Sequence, residues 1–224
     1  MIRARSRPLF PNAPAQRAPR SERAVMALFG LVPAYRDLPL RGDGVYLRSS
    51  EMRDFVAWAS LRERSRAFLT PWEPTWPSDD LTRASFRYRV RRHAEEMARD
   101  EAYSFFVFRE ADDVLVGGLT LGHVRRGVSQ AATLGYWMGE PYAGKGYMSR
   151  AVRAALDYAF SRQRLHRVEA ACLPSNAASI RLLERNGFHQ EGFARAYLNI
   201  NGQWRDHLLF ARLDSDPSPT RRSL

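Results

Sequence analysis

The chain has 224 residues with 35 basic and 24 acidic side chains, a net charge of +11, and 45% hydrophobic residues. That make-up is ordinary for a soluble globular protein and excludes a disordered, collagen-like or disulfide-stapled chain. One cysteine, Cys172, excludes an internal disulfide and a multi-cysteine metal site, and no metal is expected.

The charge is uneven. Residues 1–25 carry six arginines and one acid, Glu22, in a Pro- and Ala-rich stretch without helical or strand period. This reads as a disordered arm, with Met26 as an alternative true start. Five of the eleven net positive charges leave with it, so the total is poor support for nucleic acid as a partner. Residues 26–43 read as a linker, 44–213 as one domain and 214–224 as a disordered tail. No apolar run reaches the 18 residues a membrane helix needs, so the expected location is the cytoplasm, away from membranes.

Within the domain, Val45–Arg48 alternates as a short strand and Ser50–Phe68 has a helical period. Leu69–Pro77, with three prolines and two tryptophans, must be a loop. Asp79 or Asp80 is placed to cap a helix running to about Ala98. Its arginines (Arg83, Arg87, Arg89, Arg91, Arg92) are spread around it and read as a solvated face. Tyr103–Arg109, Val114–Val124 and Ala131–Met138 form a meander. Gly144–Phe160 is helical, His166–Cys172 a strand, and Asn176–Asn186 a helix stopped by Gly187. Phe188–Ile200 and Gln203–Leu213 are strands around Asn201–Gly202, a strong hairpin signal.

The chemistry concentrates in two stretches. Gly135–Arg150 reads GYWMGEPYAGKGYMSR, a strand running through Ala143-Gly144-Lys145-Gly146 straight into a helix. Such a turn gathers backbone N–H groups and the positive end of a helix dipole, a setting for phosphate or pyrophosphate. Lys145, the only lysine in the chain, sits between its two glycines. GxxxxGK[ST] and GxGxxG are both absent. Glu169–Phe188 reads EAACLPSNAASIRLLERNGF, with Asn176 at a helix start and Ser179 three residues on.

Together these stretches resemble the GNAT superfamily of acetyl-CoA-dependent N-acetyltransferases. The first is similar to its pyrophosphate loop, [QR]xxGxG[AG], with Pro141 and Tyr147 departing from the pattern. The second is similar to its N-x-x-S…GF region. Tyr197–Leu208 (YLNINGQWRDHL) and Phe68–Trp76 (FLTPWEPTW) resemble the branch that acetylates the N-terminal alanine of a small-subunit ribosomal protein.

The resemblance implies a single mixed, mostly antiparallel sheet of six to seven strands flanked by about four helices and splayed at the acyl-CoA site. Acetyl-CoA would be the acyl donor, held by Trp137, Met138, Ala143, Gly144, Lys145, Gly146, Tyr147, Met148, Asn176 and Ser179. A backbone N–H near Met138 would face the thioester carbonyl. Ser179, or Tyr197 in its place, would serve the departing thiolate. Glu169 is the first candidate for a base, and Glu73 for holding the cationic amine. Trp72 and Trp76, with Trp58, would border the acceptor side. Cys172 reads as a small core residue. The implied acceptor is a protein N-terminus, that of a ribosomal protein. A small-molecule amine and a non-catalytic acetyl-CoA-sensing, ribosome-binding module are the alternatives. Contact with the ribosome, and monomer against homodimer, stay open.

Overall fold

Residues 39–217 are described by the computed structural model; the arm, the Met26 start and the end of the tail lie outside the described residues. Eight strands form one sheet in the order β1-β2-β3-β4-β5-β6-β8-β7: β1 Leu40–Gly42, β2 Val45–Arg48, β3 Tyr103–Arg109, β4 Val114–Arg125, β5 Ala131–Met138, β6 Arg167–Cys172, β7 His189–Ile200 and β8 Gln203–Leu213. All neighbours are antiparallel except β5 and β6. The sheet has one strand more than expected, because β1 forms inside the stretch read as linker. Its three residues pair Leu40 with Leu47 and Gly42 with Val45. A strand that short shows no alternation to read.

Five α-helices cover the sheet: α1 Phe55–Arg64, α2 Arg66–Leu69, α3 Arg83–Ala98, α4 Tyr147–Asp157 and α5 Ala177–Arg185. The single helix expected over Ser50–Phe68 is broken at Ser65. Thr82, not Asp79 or Asp80, caps α3 by accepting the Ser85 N–H at 3.2 Å. Asp80 is instead drawn 2.6 Å from Arg89, an arginine turned inward over the Trp58 ring. α4 gives way to a π turn over Tyr158–Arg162. Asp214 and Asp216, placed in the disordered tail, close a turn after β8: the Asp214 N–H reaches the His166 carbonyl at 3.0 Å, and Asp216 accepts from the Leu213 N–H at 2.8 Å.

Strand alternation sorts the core onto two faces. Leu119, Leu121, Ala132, Leu134, Val168 and Ala170 meet Met148, Ala151, Val152, Ala155 and Leu156 of α4 on one face. Phe106, Phe108 and Leu115 meet Trp58 and Leu61 of α1 and Phe86 of α3 on the other. α4 is the crossover between the parallel strands, apolar on the side it buries.

The crossover matters because the parallel pair is incomplete. β5 and β6 share only the pairs Ala131–Arg167, Ala132–Val168 and Thr133–Glu169. Beyond these, Leu134–Met138 and Ala170–Cys172 part, opening a slot in the middle of the sheet. No helix of the described residues is long and apolar enough to cross a membrane.

Candidate active site

The loop after β5 makes one short turn over Glu140–Tyr142 and enters α4 through Gly144-Lys145-Gly146. Gly144 and Gly146 have φ of +74° and +76°. A Cβ on either would meet no atom within 4 Å, so left-handed backbone, not crowding, demands glycine here. The first intrahelical bond of α4 is Arg150 N–H to the Gly146 carbonyl. The N–H groups of Tyr147, Met148 and Ser149 are therefore without helix partners, at the positive end of the dipole. Gly144, Lys145 and Gly146 are exposed, and among the described residues the Lys145 ammonium pairs with nothing. Tyr147 lies beneath Arg150, whose guanidinium is 4.9 Å from the ring centre, while Met148 points into the core. The residues fit a diphosphate: free N–H groups, one unpaired cation and open space above the glycines.

At the slot itself the Tyr136 hydroxyl donates to Ser179 Oγ at 3.0 Å, tying β5 to α5. Ser179 is set by Asn176, whose Oδ1 accepts the Ser179 N–H at 3.0 Å as the helix cap. Burial pushes the Tyr136 phenol up to about 12, so it stays protonated and remains a donor. Burial also pushes the Cys172 thiol up to about 11, which suits a core residue and not a nucleophile.

On the opposite face lies a cavity of about 820 Å³, between α3, the Glu73–Pro77 loop and the sheet. Its floor is made of small residues, Ser104, Gly118, Thr120 and Gly135, which is why α3 does not seal against the strands. Trp137 lies flat across Gly118: a Cβ there would be 2.4 Å from the indole nitrogen. Tyr136 borders the cavity between Gly135 and Trp137, but its hydroxyl points to the other face of the sheet, toward α5.

Arg62 frames the wall. It is 8% exposed and donates to both Glu73 oxygens at 2.7 Å, and the Trp76 indole N–H donates to the same carboxylate at 2.7 Å. Its guanidinium lies 4.0 Å from the Trp76 ring and 5.0 Å from that of Trp137. The Asn201 N–H at the β7–β8 hairpin tip donates to the Glu73 carbonyl at 2.9 Å. FLTPWEPTW and YLNINGQWRDHL, far apart in sequence, thus meet at the cavity rim.

The cavity carboxylates are already engaged: Glu73 by Arg62, Asp80 by Arg89, Glu96 by Arg92 and Glu101 by Arg99. His93 of α3 is half-buried among them. Burial, and then the charges of Arg92 and Arg89, push its imidazole down to about 4.

Glu73 and Trp76 therefore stand together at the cavity, with both Glu73 oxygens already accepting from Arg62 and one also from Trp76. Trp72 lies outside the cavity, 37% exposed, whereas Trp58, though buried in the core, lines it as expected. Trp137 faces the cavity rather than the phosphate loop, because it alternates with Tyr136 and Met138. Glu169 stands where the strands part, held by Arg125 at 2.6 Å and Arg167 at 2.9 Å. Partial burial works against it, yet those two arginines keep its carboxyl below the usual range, and a base needs the reverse. Tyr197 is 48% exposed with its ring edge-on to His207, and it makes no bond to Ser179. The tyrosine that does is Tyr136, which sequence reading passed over although it shares a strand face with Leu134 and Met138.

Residues 45–189 match the acetyltransferase (GNAT) domain. The chain is 38% identical to "Probable N-acetyltransferase YjcK" of Bacillus subtilis over 177 residues, 79% of this chain and 98% of that protein. It is 34% identical to the [ribosomal protein uS5]-alanine N-acetyltransferase of Escherichia coli over 194 residues, 87% of this chain and all of that one. The fold superposes on Mycobacterium smegmatis RimJ, solved in complex with CoA-disulfide, with a TM-score of 0.76 and 33% identity, covering 84% of this chain and 93% of that one. The chain belongs to the GNAT family of N-acetyltransferases, enzymes whose acyl donor is acetyl-CoA.

Proposed function

We propose that the enzyme acetylates a protein N-terminal α-amine, with the N-terminal alanine of a ribosomal protein as its acceptor. The observation that carries this reading is the joined rim. The Glu73–Trp76 loop and the Asn201 hairpin tip border a cavity lined by Gly135 and Trp137, the stretch of β5 that parts from β6 and carries Tyr136 to Ser179 on its other face. Likeness to the uS5-alanine enzyme over that protein's full length supports it.

Acetyl-CoA supplies an activated acyl thioester, whose carbon the amine nitrogen takes as the thiolate departs. The residues around it divide the work. Gly144-Lys145-Gly146 and the open end of α4 hold the diphosphate. The parted edges of β5 and β6 leave room for the pantetheine arm. Tyr136 donates to Ser179, which leaves the serine's own hydrogen for the sulfur. No free carboxylate lines the cavity, so the amine must arrive neutral. An α-amine near pKa 8 loses its proton for about 3 kcal/mol less than a lysine near 10.4, which favours N-termini over side chains.

An alanine-initiated peptide is expected to release CoA thiol with this enzyme, and the deletion strain should lose 42 Da from one ribosomal protein, the acetyl increment. Turnover of small amines but not of the peptide would overturn the acceptor. Lys145→Ala should weaken acetyl-CoA binding by roughly 5-fold, about 1 kcal/mol, as for one exposed charge near a helix end. Calorimetry checks this: an unchanged dissociation constant would assign the diphosphate to the backbone N–H groups alone.

A further inference from the structure

Every carboxylate around the acceptor cavity is neutralised by an arginine, which leaves the question of what meets the amine. Two ionisable side chains lining the cavity have no partner among the described residues, His93 and His123. His123 is exposed and sits in the bulge where β4 breaks register with β5 between Gly122 and Arg125. His93 is half-buried on α3, over the cavity floor that includes Thr120 and Gly135. The cavity therefore has an unpartnered imidazole on its α3 wall, and its floor includes Gly135 and Trp137, in the stretch of β5 that has parted from β6.

Resting on the acetyltransferase reading above, we propose that His93 accepts a hydrogen bond from the acceptor amine and aims its lone pair at the acyl carbon. The charged groups around it fit this role. On α3, Arg89 and Arg92 disfavour a second positive charge, and Glu96 is bound by Arg92. Glu101, at the turn into β3, is bound by Arg99, and the neighbour from β4 is His123. From the loop side, Arg62 is closed onto Glu73 and Arg89 onto Asp80. A neutral imidazole in this setting offers a lone pair with no charged partner, where every lining carboxylate is paired with an arginine.

The step balances. The amine nitrogen bonds the acyl carbon, the C–S bond breaks and the sulfur takes one proton. The nitrogen sheds one proton to solvent along its bond to His93 as the amide forms. The burial that, with Arg92 and Arg89, keeps His93 neutral also disfavours a charged ammonium beside it, which favours the free base of the substrate.

The test measures CoA release by wild type, His93→Ala and His93→Gln. The acceptors are the alanine-initiated peptide and a panel of small primary amines, and acetyl-CoA affinity reports that each variant is folded. On whichever acceptor wild type uses, His93→Ala should lower kcat on the order of 100-fold. Acetyl-CoA affinity should hold, and His93→Gln, whose amide oxygen still accepts a hydrogen bond, should recover part of the loss. An unchanged kcat in His93→Ala overturns the proposal, as does a loss that follows acetyl-CoA affinity or that glutamine does not relieve. Wild-type turnover of a small amine alone overturns the N-terminal acceptor and leaves the His93 comparison in force; turnover of no amine overturns both.

Discussion

Glu73→Ala is expected to destabilise the enzyme by about 3–5 kcal/mol, the cost of leaving a buried charge without its partner. The charge is Arg62, whose Nε already lacks a partner and whose other nitrogens reach only Glu73. For a domain of this size that corresponds to a fall in Tm of about 6–20 °C, which thermal unfolding would show directly. A second variant separates stability from placement. In Arg62→Met/Glu73→Leu no uncompensated charge remains, so most of the lost Tm should return. The Trp76 stack and the fixed loop do not return, so KM for the acceptor should stay raised while the acetyl-CoA dissociation constant stays put. If the double variant binds acceptor as wild type does, the ion pair only stabilises the loop and does not position it.

Ser179→Ala should lower kcat by about 100-fold with little change in acetyl-CoA affinity, since the serine lies on a different helix from the one that the diphosphate loop enters. Tyr136→Phe should cost less, about 10-fold, because the serine hydroxyl survives and loses only the group that orients it. The double variant should be no slower than Ser179→Ala, for the tyrosine acts through the serine and the two effects cannot add. Single-turnover rates at saturating acetyl-CoA check all three. Additive losses would mean that Tyr136 reaches the substrate on its own.

The parts of this site that show in the sequence are those dictated by local backbone. Gly144 and Gly146 announce themselves because left-handed φ leaves few other residues. Asn176 and Asn201-Gly202 are legible for the same kind of reason, a cap and a tight turn. What does not show is pairing across the fold. Tyr136 and Ser179 are on different elements, as are Arg62 and Glu73, and nothing in either residue's neighbours names its partner. Glu169 and Glu73 looked available because a sequence shows carboxylates without the arginines that occupy them. Trp137, expected among the acyl-CoA residues, faces the cavity, as its alternation with Leu134, Tyr136 and Met138 implies. His93 sits in a helix whose arginines read as a solvated face, while its own burial against the sheet, not visible from its neighbours, is what moves it most.

The bond from the Asn201 N–H to the Glu73 carbonyl also bears on how the molecule is made. It joins positions more than half the chain apart, the kind of contact that slows folding because a long loop must close before anything is gained. During synthesis the phosphate loop and α4 can assemble with β1 to β5 while the hairpin is still inside the ribosome. The acceptor cavity cannot be completed until that hairpin has emerged and docked. A nascent enzyme should therefore gain its donor site before its acceptor site.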